Sequence, residues 1–132
     1  MIYGMVPIQD ISKEWPEALP WIEAACDYNN NRYKAQDHLE QILKNNSQLW
    51  LVKDPHIIGV IITSLVPFPQ KLCCTITICT GERGGEWIRN VSFIESWAKA
   101  QGCQQMLLPA RLGMSKILKD YRKTHIILEK DL

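Results

Sequence analysis

Apolar residues recur along the chain in two rhythms, one of period two and one near 3.6, and the switches between them lay out the elements. Residues 1–8 alternate loosely, with Ile2, Met5, Val6 and Ile8 apolar, and predict a first strand ending near Pro7. Trp15, Leu19, Ile22 and Cys26 then share one helical face. Pro16 suits a first turn and Pro20 does not suit an interior, so the regular helix is expected to begin near Glu17 or to kink at Pro20. Asn29, Asn30 and Asn31 are expected to end it. A second helix is predicted from about Ala35 to Asn45, with Leu39, Ile42 and Leu43 inward.

Three strands follow, over residues 48–53, 57–66 and 72–79. Asp54-Pro55-His56 and the stretch from Pro67 to Lys71 are turns, so the three form an antiparallel meander. Gly59 marks a bulge or a close approach of backbone. After a loop, Thr80-Gly81-Glu82-Arg83-Gly84-Gly85, one long helix is predicted over 86–100. Trp87, Val91, Ile94 and Ala98 form its buried face, with Arg89, Ser92 and Glu95 on the solvent side. Gly102 ends it as a C′ residue. The run 105–108 should lie parallel to 72–79 by a right-handed crossover. A last helix over 114–121, with Ile117, Leu118 and Tyr121 inward, and a last strand over 126–128 complete the order. The fold class is α/β, and residues 1–132 read as a single domain.

Composition narrows the function classes. Apolar residues make up 46% and charged residues 22%, as in soluble globular chains. Fifteen basic against 14 acidic residues leave a net charge of +1, so no nucleic-acid partner is expected. No apolar run approaches the roughly 18 residues of a membrane span, and residues 1–8 lack the features of a signal peptide. The five cysteines are odd in number and form no CxxC pair, so reduced, buried thiols and a cytoplasmic location are expected. His38, His56 and His125 lie too far apart in sequence to suggest a metal site. Trp21 sits off the main face of its helix, and beside Tyr28 and Tyr33 it reads as an exposed partner surface.

Several short runs occur in a telling order: Trp15-Pro16, Gln48-Leu49-Trp50, Ile58-Gly59-Val60, Glu86-Trp87, Trp97-Ala98 with Gly102-Cys103, and Leu128-Glu129-Lys130. With the element order, they resemble the GCN5-related N-acetyltransferase (GNAT) fold over nearly the whole chain. The resemblance is greatest to small GNAT-like proteins of bacteriophages and prophages. It implies a mixed, mainly antiparallel sheet flanked by helices, with a parallel crossover from the fourth strand to the fifth. In that fold the two strands splay apart, and the main chain of the fourth pairs with the pantetheine arm of acetyl-CoA. The loop after it donates N–H groups to the pyrophosphate, aided by the positive end of the next helix.

Carried onto this chain, the resemblance implies cofactor contacts from Ile78, Cys79, Thr80, Arg83, Gly84 and Gly85. The loop departs from the family's Gln/Arg-x-x-Gly-x-Gly/Ala, and Glu82 and Glu86 would repel a phosphate. Arg111 and Lys116 flank the last loop, either near a CoA phosphate or as solvated charges. The family's acid, a Tyr in the last helix, falls near Leu118, and Tyr121 reads as a packed aromatic with a solvated hydroxyl. Residues 72–79 carry Thr75 and Thr77 but no carboxylate, and no catalytic residue is assigned. Trp21, Tyr28 and Tyr33 would rim the acceptor pocket. Two functions are thereby implied. One is an acetyl-CoA-dependent N-acetyltransferase acting on a small-molecule or protein amine. The other is a catalytically inactive GNAT-like domain serving virion assembly among phage structural proteins, located in the host cytoplasm or the virion.

Overall fold

The structure is a computed structural model that describes residues 1–28, 32–110 and 112–132. The expected helix end at Asn29 to Asn31 and the expected phosphate contact of Arg111 lie outside the described residues.

Five strands form one sheet in the order β1 (Ile2–Met5), β2 (Ser47–Lys53), β3 (Ile57–Pro67), β4 (Leu72–Gly81) and β5 (Gln105–Leu107). The first four pair antiparallel and β5 runs parallel to β4, the mixed α/β sheet expected from the pattern. Helices α1 (Ile11–Cys26) and α2 (Ala35–Leu43) cover one face, and α3 (Gly84–Trp87) and α4 (Ser92–Ala100) the other. The middle strands are therefore buried on both sides. In β2, Leu49 and Leu51 join the core under α1, while Trp50 and Val52 join the core under α4. Two-sided burial is why β2 and β3 read as unbroken apolar runs rather than as alternation.

Helix α1 starts at Ile11, well before the expected Glu17, and runs through both prolines. Ile11 is 1% exposed and Trp15 packs against the same core, so burial of the first turns outweighs the proline penalty. Pro16 and Pro20 lie on the exposed side, where water can satisfy the carbonyls they leave without a donor. In α2 the inward residues are His38 and Ile42, with Leu39 half-buried; Leu43 is exposed, contrary to expectation. Its first turn is closed by the Lys34 N–H donating to Asp37 Oδ2 at 2.8 Å.

The long helix expected over 86–100 is broken. One turn of α3 is followed by a 3₁₀ turn, Ile88–Asn90, and then by α4. The buried face is still Trp87, Val91, Ile94 and Ala98. Trp87 explains the break. Its indole lies over Gly59, and its Nε1–H donates to the Glu82 carbonyl at 2.7 Å. That anchor fixes the first turn against β3, and the 3₁₀ turn redirects the chain to lay Ile94 and Ala98 on the sheet.

The last predicted helix is a 3₁₀ segment, Leu112–Lys116, followed by a turn. Too few apolar positions are buried there to hold a longer helix: Leu118 is buried, and Ile117 and Tyr121 only half. The last predicted strand does not form either, and residues 126–128 join no ladder.

One departure from regular pairing positions everything that follows. β4 and β5 are matched at Cys73 with Gln105, Cys74 with Met106 and Thr75 with Leu107, and then part. β4 runs on to Gly81 against β3 alone. At the parting point β4 carries an extra residue: Ile62 faces Ile78 and Thr63 faces Ile76, leaving Thr77 without an opposite. The Thr77 hydroxyl donates to the Ile62 carbonyl at 3.1 Å. A bulge of this kind bends its strand and sharpens the local twist, which carries β4 away from β5.

Candidate functional site

The site begins with the fork between β4 and β5. Along residues 76–81 the β3 side of β4 is paired, and among the described residues no strand takes up the other side. The side chains here mostly turn inward. Ile78 is buried under α1, Cys79 is half-buried on the α4 side, and Thr80 is half-buried. Burial pushes the Cys79 thiol up to about 11, so it stays a neutral thiol and not a nucleophile. What this arm offers a ligand is main chain, together with the exposed Thr77.

At the end of the arm the chain turns a tight corner. Gly81 has φ +146°, and a Cβ there would sit 2.1 Å from the Ile58 carbonyl oxygen. The Glu82 N–H donates to that same oxygen at 2.8 Å. Arg83 follows in the left-handed conformation, and Gly84 and Gly85 open α3. A Cβ on Gly84 would meet Ile88 at 2.8 Å, whereas Gly85 faces open space. Among the described residues no side chain caps this helix start.

The structure places Arg83 differently from a simple phosphate ligand. Its Nη2 donates to Asp54 at 2.9 Å, and its Nε donates to Glu86. The Glu86 and Asp54 bonds both raise the Arg83 pKa, and the Arg83 bond holds the Glu86 carboxyl below its usual range. The guanidinium thus ties the corner to the β2–β3 turn while remaining exposed. Glu82 and Glu86 are exposed as well, at the corner and on the first turn of α3.

The segments that continue the two arms of the fork enclose a cleft of about 280 Å³. Arg89, Ser92 and Glu95 line one wall, and residues 117–121 the other. Across it the Tyr121 hydroxyl donates to Glu95 Oε2 at 2.6 Å. Burial raises the Tyr121 pKa, and the Glu95 bond raises it further. The hydroxyl expected in solvent is therefore engaged with a carboxylate. Glu95, expected on the solvent side of its helix, lies instead at the margin. It stands four residues after Val91 and three before Ala98, both buried, and that spacing sets it on the flank of the apolar face. Leu118, at the position where the resemblance looks for a Tyr, is buried. Lys116 is exposed at the end of the 3₁₀ segment.

The remaining candidates fall elsewhere. Trp21 is half-buried against the α1 core rather than exposed, while Tyr28 and Tyr33 are exposed. Tyr33 packs on His38 with ring centres 5.3 Å apart. His38 is 7% exposed, its Nε2 has no hydrogen-bond partner among the described residues, and burial lowers its pKa against the pull of Asp37. The five cysteines are free thiols. Cys74 is pushed up to about 11, chiefly by burial and next by Cys103, so the adjacent Cys73 and Cys74 form no reactive pair. Among the described residues no helix is long and apolar enough to cross a membrane.

No family model and no curated protein matches this sequence. Solved structures do match in shape. A "probable acetyltransferase" superimposes with a TM-score of 0.73 at 9% identity, over 100% of this chain and 97% of its own. An aminoglycoside acetyltransferase from an uncultured soil metagenomic sample gives 0.71 at 14% identity, over 99% and 95%. A GNAT family acetyltransferase of Staphylococcus aureus gives 0.64 at 17% identity, over 99% and 98%. Identities this low speak for the fold alone, and the fold is that of GNAT acetyltransferases.

Proposed function

We propose that this protein binds acetyl-CoA in the fork between β4 and β5 and transfers the acetyl group to an amine. The observation that carries this reading is the parting of β4 from β5 after Thr75, which leaves the main chain of residues 76–81 without a strand partner on that side among the described residues. An unpaired strand edge inside a fold is a costly feature unless a ligand or another chain completes it.

The residues present fit the cofactor. Main-chain groups of Ile78, Cys79 and Thr80 would receive the pantetheine amides as an added strand does. The N–H groups of Gly84 and Gly85, uncapped and open to close approach, would take the pyrophosphate, with the exposed Arg83 beside them. Bound acetyl-CoA supplies an activated thioester. The chain's part is to orient it, to hold the amine against it, and to manage two protons. Glu95, the half-buried carboxylate lining the cleft, would accept a proton from the incoming amine. Tyr121, bonded to it, would donate one to the departing sulfur. Burial and the Glu95 bond keep Tyr121 protonated at rest, and a proton taken up by Glu95 from the amine would relieve the second of these and ease donation from Tyr121. The amine acceptor is a small molecule or a protein chain.

A second reading draws on a specific observation. Arg83 is already engaged by Asp54 and Glu86, and no glycine spacing of the usual loop is kept. A GNAT-like domain used only for assembly, for instance among phage structural proteins, would need no more than this corner.

Titration with acetyl-CoA under thermal unfolding separates the two. A ligand bound to the native state stabilises it by about 2.7 kcal/mol at a concentration of a hundred dissociation constants. A rise in melting temperature that shrinks in Arg83→Ala supports the first reading. No rise at millimolar acetyl-CoA overturns it in favour of the second.

A further inference from the structure

We infer that the cleft between β1 and the start of α1 is a separate binding site, which takes a small apolar primary amine. Three observations converge there. The first is a glycine that the fold itself does not require. Tyr3 and Met5 pack with the core under α4 and Val6 with the core under α1, so Gly4 falls on the α1 face of β1 beside Ile2 and Val6. Glycine weakens a strand, and it is kept there for a positive φ, a close backbone or a close ligand. Gly4 does not have a positive φ, and a Cβ built on it meets nothing within 4 Å. A ligand is the reason left.

The second observation is the space that the missing side chain leaves. Gly4 opens into a cleft of about 180 Å³, walled by Ile2, Val6, Pro7 and Leu51. An apolar cavity of about 150 Å³ holds a benzene-sized molecule, so this cleft admits a ring or branched chain of about six to eight carbons.

The third is charge. Of the three charged side chains that line the cleft, two neutralise each other: Lys53 Nζ donates to both Glu14 carboxylate oxygens, at 2.8 and 2.9 Å. The third is Asp10, which is exposed and makes no capping bond to α1. Among the described residues no cation pairs with it. The positive end of α1, about half a charge, offsets the Asp10 carboxylate only in part. Apolar walls with one uncompensated carboxylate at the rim fit an ammonium on a hydrocarbon body, and they repel a carboxylate. The site stands apart from the fork. β1 and β4 are three strand spacings apart in the sheet, about 14 Å, so an amine held against Gly4 does not reach the bend at Thr77.

Titration of the full chain with phenethylamine, followed by amide proton–nitrogen NMR, tests this, with phenylacetate as a probe of similar shape and opposite charge. The expected result is saturable shifts centred on Gly4, Val6, Asp10 and Leu51, with phenylacetate binding at least about tenfold more weakly. Asp10→Asn should raise the phenethylamine dissociation constant about tenfold. Gly4→Val, whose side chain fills open space, should abolish binding and leave the melting temperature equal or higher. The absence of saturable shifts at millimolar phenethylamine overturns the inference, as do shifts centred elsewhere or equal binding of phenylacetate. Undiminished binding in either variant overturns it too, and so does a Gly4→Val protein that melts lower or fails to fold. Acetyl-CoA enters none of these measurements, so their outcome is independent of the reading of the fork.

Discussion

Gly59 and Trp87 lock together, and a double-mutant cycle can measure the lock. A Cβ built on Gly59 would lie 2.7, 2.8 and 3.0 Å from three carbons of the Trp87 ring. Carbon contacts settle near 3.5–4.0 Å, so ring or strand must retreat by roughly 1 Å. Trp87 is 1% exposed and hydrogen-bonded to Glu82, which leaves it little room. Overpacking of this kind costs about 1–3 kcal/mol. Gly59 does not have a positive φ, so alanine also stiffens the unfolded chain, which returns about 0.4–1 kcal/mol. Gly59→Ala should therefore destabilise by about 1–2 kcal/mol. Trp87→Leu should cost about 2–4 kcal/mol, from lost volume and the lost indole bond. Once Trp87→Leu has removed the ring, the clash is gone, and adding Gly59→Ala should be neutral or mildly stabilising. Urea unfolding of the four proteins, with equal slopes as a check on two-state behaviour, gives the coupling, expected at about 1–3 kcal/mol. Additivity within about 0.5 kcal/mol would refute the contact and the account of the broken helix that rests on it.

Gly81→Ala should be harsher, at about 2–4 kcal/mol, because it combines a positive φ with a clash against backbone; urea midpoints will show it. Tyr121→Phe leaves half-buried Glu95 without its donor and should cost about 1 kcal/mol, together with a large loss of kcat in any acetyl transfer assay. His38 makes stability fall on mild acidification. Its folded pKa lies below the ordinary 6.5, so the unfolded chain binds the proton first, and stability present above that value is lost as the pH falls through it. Tyr33 and Asp37 are the ionisable groups that face it, and Asp37 opposes the shift. Melting temperature against pH should lose part of its slope near pH 6 in His38→Leu, and an unchanged slope would exclude His38 as the cause.

The sheet is legible in the sequence, and the reasons are local. β2, β3 and β4 are long apolar runs between clear turn residues, and the pattern places each to within about two residues, the usual uncertainty of such boundaries. The buried face of Trp87, Val91, Ile94 and Ala98 is legible too, because its spacing survives a 3₁₀ interruption. The interruption itself is not, since Trp87 packs against Gly59, far away in sequence. Gly59 reads as a bulge or a close approach, and it is a close approach. The prolines of α1 mislead because their penalty is local while the burial of Ile11 is tertiary. In the site, the corner glycines are visible as letters, but Arg83's partners are not, because Asp54 arrives from another turn. The Glu95–Tyr121 pair spans two elements, and only the flank position of Glu95 hints at it.

The extra residue at Thr77 has a consequence for how the fork can change. Before it, Cys74 and Ile76 face the core under α4; beyond it, Ile78 faces the core under α1, and Cys79 takes the α4 side. The bulge therefore reverses which parity of position belongs to which layer. Substituting Thr77 removes a hydroxyl but keeps the count. Deleting it would straighten β4 against β3 and close the fork, while residues 78 to 81 would keep the layers they now face, because Ile78 would then follow Ile76 in regular alternation. The opening for a ligand is thus one counting decision made once along β4, and it can be undone without disturbing the sorting of the two cores. The fork is protected against point substitution for the same reason that it is vulnerable to a single deletion.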